Sequence, residues 1–116
     1  MPRAQTNDSE LSHVAVEILV SLLQGEQHGY AIKLDVEERL GDGFVLGSGS
    51  LYQSLHRLER RGLVAEVAES QPVNARRGRV YRIEPAGQQA LEAELSRMSR
   101  VLRSARRKPA TATGES

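Results

Sequence analysis

Three apolar stripes at helical spacing, each stopped by a glycine, precede two short alternating stretches, and this order restricts the chain to few folds. In ELSHVAVEILVSLLQG, Leu11, Val14, Ile18 and Leu22, flanked by Leu19 and Leu23, fall on one side of a helix that Gly25 ends. HGYAIKLDVEERLG repeats the arrangement with Ile32, Val36 and Leu40 before Gly41. The third stripe, Leu51, Leu55 and Leu58, predicts a helix over residues 48–61 closed by Gly62. Between the second and third helices, GDGFVLGSGS reads as loop with room for a short extended piece at 44–46. LVAEVAE (63–69) and RVYRIE (79–84) then read as strands joined by the loop SQPVNARRG. Three helices followed by a two-stranded hairpin is the order of a winged helix-turn-helix.

A fourth helix follows. Pro85 suits its first position, and Leu91, Leu95, Met98, Leu102 and Ala105 recur at spacings of four and three. A winged domain of under about 80 residues gains only roughly 3–5 kcal/mol from its core. This second stripe finds no partner in the remaining sequence, so burial against another copy is expected, and two-fold dimers are the commonest closed form. Folding back along the first helix is the alternative. The expected division is a disordered arm at 1–8, a DNA-binding winged helix-turn-helix at 9–84, a dimerisation helix at 85–108 and a disordered tail at 109–116. The fold class is thus mainly α with a small β-hairpin and a long C-terminal helix.

Composition removes several classes of function. The chain has no cysteine, which excludes disulfides and thiolate metal sites within it. No apolar run approaches the length of a membrane span and no signal-peptide pattern begins the sequence, so a cytoplasmic protein is expected. His13, His28 and His56 lack ligand spacing, and no Ser-His-Asp or paired-carboxylate arrangement emerges. Neither an enzyme nor a metal or cofactor site is expected. The net charge of +1 conceals a polarity. Residues 1–69 hold 6 Lys/Arg against 11 Asp/Glu, a net of −5, while residues 70–116 hold 10 against 4, a net of +6. Such a division fits a localised anionic partner.

The third helix carries the chemistry expected of a duplex reader. Opposite its leucines lie Tyr52, Gln53, His56, Arg57 and Arg60. Its first residues, Ser48, Gly49 and Ser50, are small enough to let backbone amides approach phosphate. Gln and Arg can pair with base edges in the major groove, and Tyr can reach phosphate. Arg76, Arg77 and Arg79 would place positive charge along the hairpin, against the backbone or in the minor groove. A winged-helix module that binds protein is the competing class, but it has no need of that arginine cluster. RNA binding is disfavoured because only Tyr30, Tyr52, Tyr81 and Phe44 offer stacking surfaces.

The segments HGYAI, GSGSLYQSLHRLERRGLV and RRGRVYRIEPAGQQAL, within residues 11–95, resemble the PadR family of transcriptional regulators. The resemblance implies a homodimeric regulator of double-stranded DNA, usually a repressor, in a short form that dimerises through one C-terminal helix. Where the family often carries proline after Leu-Tyr, this chain has Gln53, so no base preference carries over. A small-molecule effector of unknown identity between the subunits is compatible with the resemblance. The absence of tryptophan excludes a tryptophan-sandwich pocket for it.

Overall fold

The structure, a computed structural model, describes residues 10–68 and 79–115, and side chains up to residue 107. The elements in chain order are α1 (His13–Leu22), β1 (Gln27–His28), α2 (Gly29–Leu40), α3 (Ser48–Arg60), β2 (Val64–Glu66), β3 (Val80–Ile83) and α4 (Pro85–Glu115). The expected arm at 1–8 and the wing residues Arg76 and Arg77 lie outside the described residues.

Each of the first three helices buries most of the stripe its spacing marks, although Leu23, just past α1, and Leu40, the last residue of α2, are exposed at 53% and 40%. Ile18, Leu19 and Leu22 of α1, Ile32 and Val36 of α2, and Leu51, Leu55 and Leu58 of α3 meet in one core with Leu46, Leu63, Val64 and Tyr81. Ser12 caps α1 by accepting a hydrogen bond from the Ala15 N–H (3.1 Å). A polar clamp then locks α1 to α2. The fully buried Ser21 hydroxyl donates to Asp35 Oδ2 (2.6 Å), which also accepts from Arg39 Nη1 (2.9 Å). The same guanidinium reaches Glu17 Oε1 from Nε (2.6 Å) and the Glu17 carbonyl from Nη2 (2.8 Å). Ser21, Arg39 and Gln24 together hold the Asp35 carboxyl below its ordinary value, the Ser21 hydroxyl most strongly.

The sheet differs from the expected two-stranded hairpin. It has three antiparallel strands in the order β1-β3-β2, with Gln27 opposite Tyr81 and Val64 opposite Ile83. β1 is two residues long, too short to show alternation, and exists because β3 offers it a partner. The Gly29 N–H donates to the Arg79 carbonyl (2.9 Å), carrying this pairing into the first residue of α2. No strand forms at 44–46. The chain turns instead through Gly41, Asp42 and Gly43, at φ of 61°, 50° and 75°, and the Phe44 N–H returns to the Gly41 carbonyl.

α4 begins at Pro85, as expected, and is 31 residues long, about 45 Å at 1.5 Å per residue. Its first turns lie on the domain: a Cβ on Gly87 would run into the Leu63 carbonyl oxygen. Leu91 is 2% exposed and belongs to the core. This corrects the expectation that the whole stripe from residue 91 is uncovered. A helical period records which side is apolar, not which neighbour covers it, and Leu91 falls beside the residues of α1. Leu95, Met98, Val101 and Leu102 are exposed, at 40–56%. The helical path also continues to Glu115 instead of ending at residue 108.

Candidate nucleic-acid interface

The exposed side of α3 follows from where its core leucines point. With Leu51, Leu55 and Leu58 inward, the direction opposite them at 100° per residue is occupied by Gly49, Gln53, His56 and Arg60. Gln53, His56 and Arg60 are all exposed. Gly47 caps the helix without a side-chain hydrogen bond, and no acidic residue stands in the first turn. The amides of Ser48, Gly49 and Ser50, all exposed, therefore face solvent at the positive end of the helix dipole. Donors at that end suit a phosphate, while Gln53 and Arg60 are long enough to meet base edges or backbone.

One expected contact, Tyr52, sits elsewhere on the helix. Tyr52 is half-buried on one flank, where it packs against the core, and its hydroxyl abuts Gly29. Arg57 is exposed at the edge of the outward arc, beside a cleft lined by Ser12, Ala15, Ser54, Leu58 and Arg61. By the same helical geometry Tyr52 stands about 85° from the outward direction and Arg57 about 55°, close to the roughly 45° of His56. Arg60, whose place on the arc is visible in the sequence, lies nearest the centre of the exposed face.

The wing contributes Arg79, whose Nη1 makes a 2.7 Å ion pair with Glu66 Oε2 across the strands. The pair is open to solvent, so its net stabilisation is small. Glu59, Glu66 and Glu84 line a shallow cleft between α3, the wing and the start of α4. Tyr81 is 5% exposed, and burial first, then Glu66 and Glu59, push its hydroxyl up to about 12. It remains a neutral core group and offers no stacking surface.

The turn before α3 is tied to α2 by a residue that periodicity does not mark. Glu37 Oε2 accepts from the Leu46 N–H (2.7 Å) and pairs with Lys33 Nζ (2.9 Å). The Leu46 amide, then Lys33, hold the Glu37 carboxyl below its ordinary value. A Glu and a Lys four apart on a helix carry a sequence signal for each other, but none for an amide nine residues on.

Among the described residues no helix is long and apolar enough to cross a membrane, and no three acidic or histidine side chains gather into a metal site. These elements make a winged helix-turn-helix with one long C-terminal helix. The sequence pattern described as the transcriptional regulator PadR-like family matches residues 18–93, and the chain belongs to that family, one of regulators and not of enzymes. It is 38% identical over 78 residues to the transcriptional regulator Rv3488 of Mycobacterium tuberculosis, which covers 67% of this chain and 68% of that protein. Identity to an uncharacterized 37.1 kDa protein in transposon TN4556 of Streptomyces fradiae is 37% over 97 residues. That match covers 84% of this chain but spans only 25% of the relative's length. Bacillus subtilis PadR, solved in complex with operator DNA, is similar at a TM-score of 0.61 and 25% identity, over 72% of this chain and 47% of that one.

Proposed function

We propose that the chain is a homodimeric repressor that binds a pseudo-palindromic operator in double-stranded DNA. The observation that carries the reading is the exposed face of α3, where Gly49, Gln53, His56 and Arg60 adjoin uncapped amides. The operator complex of Bacillus subtilis PadR supports the same use of the fold. The N-terminal end of α3 enters the major groove, Gln53 and Arg57 meet base edges, and Arg60 meets backbone from the last turn. Arg79, with Arg76 and Arg77, follows the adjacent backbone. Residues 9–84 serve as the DNA-binding unit and residues 85–108 as the dimerisation helix.

Dimerisation rests on Leu95, Met98 and Leu102, which share one side of α4 with Ala105 and are exposed in the single chain. A partner copy packed there buries them and presents two α3 helices about 34–36 Å apart, one turn of duplex. Occupancy of a promoter then excludes polymerase. Selection of bound fragments from the source genome, followed by titration against scrambled duplex, tests the reading. A specific site with two-fold related halves is expected. Gln53→Ala or Arg57→Ala should lower discrimination by about 1–3 kcal/mol, whereas Arg76→Ala or Arg77→Ala should weaken all duplexes alike. A 12.8 kDa monomer in sedimentation, or equal affinity for every sequence, would sink the proposal.

A further inference from the structure

We infer that Glu37 is a positioning residue for the recognition helix: its carboxylate fixes the turn at Leu46 and so sets how the N-terminal end of α3 meets a duplex. The inference rests on the DNA-binding reading of α3. Leu46 is the last residue before Gly47, the N-cap of α3, and its side chain is 2% exposed in the core. Its amide therefore sits where an unmet donor is costly, and Glu37 supplies the acceptor at 2.7 Å. Ahead of Leu46, the turn is loosely held. Phe44 and Val45 are exposed, and the Phe44 N–H bonds within the turn, to the Gly41 carbonyl.

Glu37 stands in the last turn of α2, and its own carbonyl accepts from the Gly41 N–H at 2.9 Å. One residue thus holds both ends of the turn, by backbone at Gly41 and by side chain at Leu46. Lys33 fixes the carboxylate from the preceding turn, so the acceptor is set in place by α2. α3 has no side-chain cap of its own, and the Leu46 anchor lies two residues before its first residue, Ser48. Loosening it lets the Ser48–Ser50 amides and Gln53 lose their common orientation while Leu51, Leu55 and Leu58 stay buried.

The test compares the full-length wild type, Glu37→Ala and Glu37→Gln on a genome-selected duplex and on a scrambled one. Glu37→Ala should bind the selected duplex about tenfold more weakly or worse, with affinity for the scrambled duplex unchanged. Exchange of the Leu46 amide should quicken while that of Leu19 holds. Glu37→Gln keeps an acceptor oxygen for Leu46 and should restore most of the discrimination. If the alanine variant does not fold, Glu37→Leu, a good helix former without an acceptor, takes its place. Equal discrimination by wild type and Glu37→Ala overturns the inference, as does loss of fold in both variants, which would make Glu37 a residue of general stability. A wild type that does not discriminate overturns the functional reading instead.

Discussion

Gly29, the first residue of α2, lies against the hydroxyl of Tyr52 in α3: a Cβ at Gly29 would collide with Oη and stand 2.9 Å from Cζ. The two helices of the helix-turn-helix meet here at a distance that admits only hydrogen. Gly29→Ala should therefore force Tyr52 or the helix away and cost about 1–3 kcal/mol in urea denaturation. Adding Tyr52→Phe removes the colliding oxygen but keeps the ring, and should recover part of the loss. An unchanged midpoint in Gly29→Ala would mean that Tyr52 swings aside freely.

Leu91 and Leu95 are one helical turn apart and should respond oppositely. Leu91 is in the domain core and Leu95 is 40% exposed. Leu91→Ala should destabilise each domain by about 2–5 kcal/mol, seen as an earlier thermal transition at any protein concentration. Leu95→Glu should leave the domain folded but separate the subunits, since an unpaired charge in an apolar seam is costly. Sedimentation distinguishes the two. A dimeric Leu95→Glu would place the subunit contact elsewhere.

Glu66 restrains a wing cation. In the free protein its carboxylate holds Arg79 at 2.7 Å, so a phosphate must compete for that guanidinium. Glu66→Gln should raise affinity for any duplex and steepen its salt dependence by up to about one released counterion. Stability should change little, because the pair is solvent-exposed. An unaltered salt slope would show that Arg79 does not reach phosphate.

The α1–α2 clamp predicts a pH dependence of defined sign. Hydrogen bonds from Ser21 and Arg39 hold the folded Asp35 carboxyl below its ordinary 3.8. A depressed carboxyl contributes stability that is complete above its unfolded value and is lost as pH falls through the folded one. Asp35→Asn should thus be less stable than the wild type near neutrality, by on the order of 1 kcal/mol for so open a site. The difference should shrink as pH drops below about 4, in denaturation midpoints measured across that range. A constant difference at all pH values would exclude ionisation of Asp35 as its source.

Much of this protein is legible from spacing alone. The stripe Leu51, Leu55, Leu58 predicts α3 to within one residue of its observed end, and the glycines at 25, 41 and 62 mark where helices stop. Alternation in 79–84 predicts β3, and Pro85 marks the start of α4. These are consequences of a chain's own period and of backbone sterics, which neighbouring residues settle among themselves. The outward placement of Gln53, His56 and Arg60 follows by the same geometry.

What required the tertiary structure were the pairings between distant residues. β1 forms at Gln27 and His28 only because β3, more than fifty residues on, presents open amides and carbonyls. Leu91 and Leu95 share one stripe, yet the domain core takes in the first and leaves the second 40% exposed. Tyr52 reads as outward until Gly29 opens room for it. Glu37 looks like half of a surface ion pair until the turn brings the Leu46 amide to it. Periodicity determines which side of an element is apolar; which neighbour covers that side, and which polar group meets a given amide, is decided by packing across the chain.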